Sequence, residues 1–316
     1  MAAYIFRRVL TAIPLLLGIT ILSFAIIRMA PGDPTSLLMD PTINAADKEK
    51  FMEKYGLNEP VHIQYLKWLG NMAQGEFGTS LIKKGVPVSE MIMNRIPNTL
   101  LLMISSTVLA ILISIPLGIL SASRPYSKVD YTLTFTSFLG LATPNFWLGL
   151  ILIMIFSVNL GWFPTGGVST LNADFSVWDR IHHLFLPAFV LASADMAGLT
   201  RYTRSSMIEV LKQDYIRTAR AKGFKETKVI YKHGLRNGLI PVITILGLLL
   251  PGFIGGAVVV EKVFSWPGIG LLFFESAFQR DYPVLMALTV LSAVFVIAGN
   301  LIADILYAIF DPRIEY

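Results

Sequence analysis

This sequence predicts an all-α, polytopic membrane helical bundle, and three observations carry that prediction. Hydrophobic residues make up 54% of the 316-residue chain and charged residues only 15%, whereas a soluble domain carries about 25% charged residues. Apolar segments recur at about the 20-residue length that crosses the hydrocarbon core as a helix. Lysines and arginines gather in the connections that an even number of spans places on one side. The net charge of +5 therefore reads as loop bias for orientation, not as a signal for nucleic acid. With no cysteine present, disulfides, thiolate metal sites and thiol chemistry are excluded.

Six segments are predicted to span: Val9–Met29, Thr99–Ser121, Tyr131–Leu160, His183–Thr200, Leu239–Glu261 and Pro283–Phe310. Arg7 and Arg8 precede the first, as they would a signal peptide. The apolar run Val9–Ile27 is too long for a signal core and no A-x-A-like site follows, so it reads as a retained span. The third and sixth segments are long enough to require tilt or a kink, which Pro144 supplies in the third. The fourth is short and contains Asp195.

Residues 30–98 have nearly balanced charge and form an external helical insert. Helical periodicity runs over Ala46–Leu57. A second helix, Val61–Met72, starts after Pro60, with Ile63, Leu66 and Trp68 on its apolar side. Gly70, Gly75 and Gly78 break the chain, and Val86–Ile96 is a third short helix. Residues 1–29 are then the first span, 99–310 a five-helix core, and 311–316 a tail. Both termini fall on the side of the basic loops, the cytoplasm.

The loop 201–238 is the most basic connection. It holds Arg201, Arg204, Lys212, Arg217, Arg220, Lys222, Lys225, Lys228, Lys232 and Arg236 against Glu209, Asp214 and Glu226. Charge alone makes it a solvated inner loop. Its interior, QDYIRTARAKGF from Gln213 to Phe224, adds a pattern: helix formers, small Ala219 and Ala221, then Gly223, which can end a short helix in the left-handed conformation. Such a helix can lie in a groove of a partner, with Ile216 and Phe224 as apolar anchors.

Other polar residues in apolar surroundings have two readings each. Asp195 either faces a cavity or pairs with Arg201 or Arg204. Asp304 sits where a hydrogen bond to Asn300 or another span would hold it. Asn145 and Trp147, beside Pro144, either line the kink or pack helices. Glu261 and Lys262 anchor a span end by snorkelling. His182 and His183 are adjacent, so their side chains diverge by about 100° on a helix and do not chelate one ion; no metal site is expected. No paired His/carboxylate or Ser/Lys constellation suggests a membrane enzyme, so no catalytic residue is assigned. Few intramembrane charges and no repeat argue against an ion-coupled secondary transporter. No G-x-x-x-x-G-K-[ST] phosphate loop occurs.

The stretch DYIRTARAKG, followed by HGLRN and Pro241, resembles the coupling loop of binding-protein-dependent ABC import permeases of the dipeptide, oligopeptide and nickel branch. So do APGDP (Ala30–Pro34), YGLNEP (Tyr55–Pro60), QYLKWLGN (Gln64–Asn71), GEFGTS (Gly75–Ser80), RIPNTL (Arg95–Leu100), PNFWLG (Pro144–Gly149), GGAVVVEKVFSWPGIG (Gly255–Gly270), RDYP (Arg280–Pro283) and the C-terminal DPRIEY. Arg217 stands where the generic family pattern has Glu, and Leu239-Ile240-Pro241 lies further downstream than that pattern places it. The resemblance implies a type I ABC importer permease fold of six transmembrane helices and an import function for oligopeptides or dipeptides, with nickel or glutathione as branch alternatives. It implies a coupling helix made of Asp214, Tyr215, Ile216, Arg217, Thr218, Ala219, Ala221, Lys222, Gly223 and Phe224. The loop with Trp266 resembles a family external loop that gates the path; with it, Asn145 at the kink and Asp195, in its cavity-facing reading near a substrate amino group, are the candidate translocation-path residues. Expected partners are a second homologous permease, two cytoplasmic ATPases, an external peptide-binding lipoprotein and membrane lipid. No cofactor is expected on this chain, ATP and magnesium being held by the ATPases. The expected location is the plasma membrane of a prokaryote.

Overall fold

A computed structural model describes residues 2–29, 58–83, 85–239, 242 and 253–310. The expected helix Ala46–Leu57, most of the expected span Leu239–Glu261, and the tail 311–316 lie outside the described residues. The helices, in order, are α1 Ala2–Met29, α2 Val61–Ala73, α3 Val88–Met93, α4 Ile96–Ser123, α5 Lys128–Ala142, α6 Asn145–Leu152, α7 Val177–Leu211, α8 Asp214–Ala221, α9 Glu226–Lys228, α10 Leu235–Gly238, α11 Phe253–Val263, α12 Ile269–Gln279 and α13 Tyr282–Phe310. Two π-helical stretches, Ile153–Asn159 and Val229–Gly234, extend α6 and α9. Among the described residues the only β contact is an isolated bridge between Thr79 and Pro87.

Among the described residues four helices are long and apolar enough to cross a membrane: Phe6–Ile26, Val88–Ser123, Val177–Leu211 and Tyr282–Ile302. A fifth crossing forms if Lys128–Ala142 and Asn145–Asn159 are one span bent by 104°. The break at Pro144 is thus far sharper than the expected kink. Thr143 takes extended backbone (φ −86°, ψ 120°), which the ring of a following proline favours. Its amide and hydroxyl both donate to the Leu139 carbonyl, at 3.0 and 2.7 Å, and close the end of α5. The fourth expected span is longer than anticipated: α7 runs 35 residues without interruption through Pro187. The expected loop therefore starts at Lys212, because residues 201–211 continue α7.

The chain divides into two compact units, residues 1–97 with 272–297 and residues 98–271 with 298–316. In the first, α1 packs on α2, which matches the expected second helix of the insert. The Thr20 hydroxyl meets the Tyr65 hydroxyl at 2.8 Å, and Phe24 stacks edge-on to Tyr65 with centroids 5.5 Å apart. Asp281 is enclosed there, accepting from the Ser80 hydroxyl and from the Leu81 amide at 3.1 Å.

In the second unit α7 is the spine. Leu186, Val190 and Leu191 pack with Leu102, Val260, Phe264 and Trp266. One stage further along, Ala192, Met196 and Leu199 meet Ala110 and Val242. At the far end Met207 meets Ile119, Ala122 and Ile230. The buried face of α4 has small residues every fourth position: Ser106, Ala110, Ser114, Gly118 and Ala122. That spacing puts them on one stripe and lets a neighbouring helix approach closely. A Cβ on Gly118 would lie 2.5 Å from Thr203 Cβ and 2.9 Å from the Thr200 carbonyl oxygen, so α4 and α7 touch backbone to backbone there.

Candidate functional site

The segment after α7 folds back as a compact hook. α8, Asp214–Ala221, is one residue shorter at its start and ends earlier than the expected Gln213–Phe224 helix; Gln213 and Lys222 flank it as caps. Gly223 takes φ +78°, the left-handed conformation expected of it, with open space where a side chain would sit. Ile216 is 0% exposed and, with Ala219, packs on Val229 and Leu211 of its own chain. Ile216 is therefore an internal anchor and not a knob offered to a partner, which corrects the sequence expectation. Phe224 is also held at home: it stacks on His233 at 5.6 Å, with Lys228 Nζ 4.3 Å above its ring.

What α8 offers outward is polar. Tyr215, Arg217, Thr218, Ala221 and Lys222 are exposed. The Tyr215 hydroxyl accepts from Asn237 Nδ2 at 2.9 Å. The guanidinium of Arg220 reaches Glu226 twice, at 2.6 and 3.2 Å, and tethers the end of α8 to α9. That pairing holds the Glu226 carboxyl below its ordinary range. The missing Glu at position 217 leaves an arginine whose nearest ion pair is the exposed Asp214, at 3.4 Å.

Packing and a hydrogen bond fix the hook to the spine, and an ion pair ties the start of α5 to the same part of the spine. Ser206 Oγ donates to the Gly238 carbonyl at 2.8 Å, and Met207 sits against Gly234 and Gly238. Asp130, 2% exposed, accepts both Nε and Nη2 of Arg204 at 2.6 and 2.7 Å. It also accepts from the Ser121 hydroxyl and the Tyr126 amide. One carboxylate thus joins the end of α4, the turn after it, the start of α5 and the lower part of α7. Sequence reading missed this joint, because Arg204 counted as a loop cation or a partner for Asp195 and nothing in the sequence pairs it with Asp130, 74 positions away.

A second enclosed node lies around Glu261, which is 0% exposed. Its Oε1 accepts from the Thr99 hydroxyl at 2.7 Å and its Oε2 from the Leu271 amide at 2.8 Å. Thr99 Oγ1 in turn accepts from the Ile269 amide at 2.8 Å. A Cβ on Gly268 or Gly270 would run into the carboxylate, so the glycines of SWPGIG make its room. Glu261 therefore does not snorkel as expected. Trp266, placed by resemblance at a translocation path, is instead wholly enclosed, its indole N–H donating to the Asn98 carbonyl at 2.9 Å. In this conformation it is a packing residue.

His182 and His183 diverge as their adjacency requires: His182 Nε2 meets the Trp162 carbonyl, and His183 Nδ1 the Asp179 carbonyl at 2.8 Å. Among the described residues no group of three or more metal-ligating side chains exists. Asn145 is half-buried at the first position of α6, beside the 104° break. Asp195 is half-buried on α7, and neither expected counter-ion is at it. Arg204 is taken up by Asp130, and Arg201 lies over the Phe138 ring at 4.7 Å.

Comparison with known proteins decides the family. The family described as "Binding-protein-dependent transport system inner membrane component" matches residues 114–316, and its N-terminal companion matches residues 1–103. The chain belongs to this family. It is 73% identical over 316 residues to the oligopeptide transport system permease protein AppB of Bacillus subtilis (strain 168), covering all of both chains. It is 42% identical over 319 residues to the glutathione transport system permease protein GsiC of Salmonella choleraesuis (strain SC-B67), again over the whole of both. It is 41% identical over 335 residues to the dipeptide transport system permease protein DppB of Alkalihalophilus pseudofirmus, over the whole of both. This family member is a multi-pass membrane transport subunit of an ABC importer, and it works with ATPase and substrate-binding components.

Proposed function

We propose that this permease is one of two homologous membrane subunits of an ATP-driven oligopeptide importer in a prokaryotic plasma membrane. Six spans place both termini in the cytoplasm and residues 30–98 outside. Two cytoplasmic ATPases, which bind ATP and magnesium, engage the outward face of α8 through Tyr215, Arg217, Thr218, Ala221, Lys222 and the turn at Gly223. An external peptide-binding lipoprotein delivers substrate. One observation supports the docking role above the others: the DYIRTARAKG stretch folds as a short helix clamped to α7 from within, with its polar side left open. A push on that face moves a continuous 35-residue helix, which suits alternating access.

Substrate class rests on likeness. Identity of 73% to an oligopeptide permease outweighs 42% to a glutathione permease, and a nickel substrate gains no ligand set among the described residues. Asn145 at the break of the third span and Asp195 on α7 are the path residues. The test is uptake into proteoliposomes holding the four membrane and ATPase subunits with the binding protein. ATP-dependent entry of labelled oligopeptides in preference to glutathione is the expected result. Peptide uptake by the isolated chain without ATPases would overturn the reading.

A further inference from the structure

The buried carboxylates among the described residues share one habit with Asp179: they are satisfied. Asp130 has four donors, Glu261 two side-chain or backbone donors, Asp281 two, and Asp179 both the amide and hydroxyl of Thr170. Asp195 departs from that habit, since no hydrogen bond or ion pair reaches it among the described residues. Its neighbours Ser193, Met196 and Ala197 are buried, and it lies inside the apolar helix Val177–Leu211, not at a frayed end. A charged group there is costly without a partner.

Among the described residues no basic side chain reaches Asp195, and the apolar segments supply none. Residues 9–27, 99–123, 129–160, 184–200, 239–260 and 283–310 contain no Lys, Arg or His. A counter-ion at this position would come from outside the chain. The face that carries Asp195 is open to receive it. Asp195, Gly198, Tyr202 and Ser205 follow at three- and four-residue spacing on α7, which aligns them. No atom lies within 4 Å of where a Cβ of Gly198 would be, and Tyr202 is 55% exposed. Above Asp195 the same face is covered, with Ala188 and Leu191 in the core. A polar strip of this kind is incompatible with lipid and suits water or a ligand.

We infer that Asp195 is the cation subsite of the translocation path: it receives an ammonium group of the peptide in transit and so favours peptides that carry one. This rests on the import function proposed above. An ammonium brings three donors to a carboxylate that has none. The group has two sources, the peptide's free amino terminus or a lysine side chain.

The complete reconstituted importer separates them. Neutral peptides with a free amino terminus isolate the first source, and acetylated peptides with one lysine the second. In Asp195→Asn, peptide imported per ATP hydrolysed falls about tenfold for whichever arm the wild type imports through this site. Asp195→Glu recovers most of it. Loss confined to one arm assigns the source. An unchanged ratio in both arms overturns the subsite while leaving the import reading intact. Loss of the homologous permease from the purified Asp195→Asn complex, unrestored by Asp195→Glu, also overturns it, since the charge would then hold the subunits together. Absence of peptide import by the wild type would instead remove the import reading, and the subsite with it.

Discussion

The hook after α7 and the enclosed nodes are built from equally motif-rich sequence, yet they handle polar groups in opposite ways. Around Glu261 and Asp130 every carboxylate oxygen is directed inward and met by a donor. In α8 the apolar residues Ile216 and Ala219 turn inward, and Tyr215, Arg217 and Lys222 face out. The first arrangement fixes a framework, because a buried charge tolerates no loss of partners. The second leaves a surface that another chain can read. Stretches such as SWPGIG and DYIRTARAKG look alike as family signatures, and burial is what tells an enclosed frame from an exposed polar face.

Substitutions sharpen the contrast, and the frame carries the largest effects. Arg204→Ala strands the Asp130 charge and is expected to cost about 3–5 kcal/mol; thermal unfolding of the solubilised protein measures it. Glu261→Ala removes the acceptor of two buried donors, Thr99 and Leu271, and is expected to cost about 3 kcal/mol by the same assay, with Glu261→Gln milder. Gly223→Ala meets no steric obstacle but must hold φ +78°, a strain of about 1–2 kcal/mol confined to the hook. Limited proteolysis at the Lys222–Lys225 turn reads that effect, and global unfolding stays unchanged.

The smallest effect is electrostatic. Because the Glu226 carboxyl is held below its ordinary value of 4.5, its pairing with Arg220 stabilises the hook above that pH. The contribution fades as the pH falls through the lowered value. Both groups are about half exposed, so salt screens the pair and its worth stays below about 1 kcal/mol. Hydrogen exchange of α8 amides at pH 7 and pH 3.5 checks the sign: faster exchange, corrected for intrinsic rate, at the lower pH.

The sequence made the helical class legible, since apolar length and low charge density need no tertiary information. Gly223 was legible too, because a left-handed turn after Ala-rich helix formers has few alternative residues. The course of residues 201–211 was not: charge suggested a loop, whereas α7 continues with Arg204 drawn inward to Asp130, 74 positions away. Ile216 misled for the same reason. An apolar residue on a short basic helix reads as an outward anchor until Val229 and Leu211 are seen to cover it. Trp266 illustrates the reverse: expected at a translocation path, it is enclosed, and its partner, the Asn98 carbonyl, is far away in sequence.

In the function proposed above, the polar outer face of α8 receives the ATPases. Charge reversal at two exposed positions, Arg217→Glu with Lys222→Glu, tests it most directly in the reconstituted importer. The double variant is expected to unfold at the wild-type temperature but to lose co-purification of the ATPases and ATP-driven uptake. Wild-type uptake with the ATPases still bound would contradict the account.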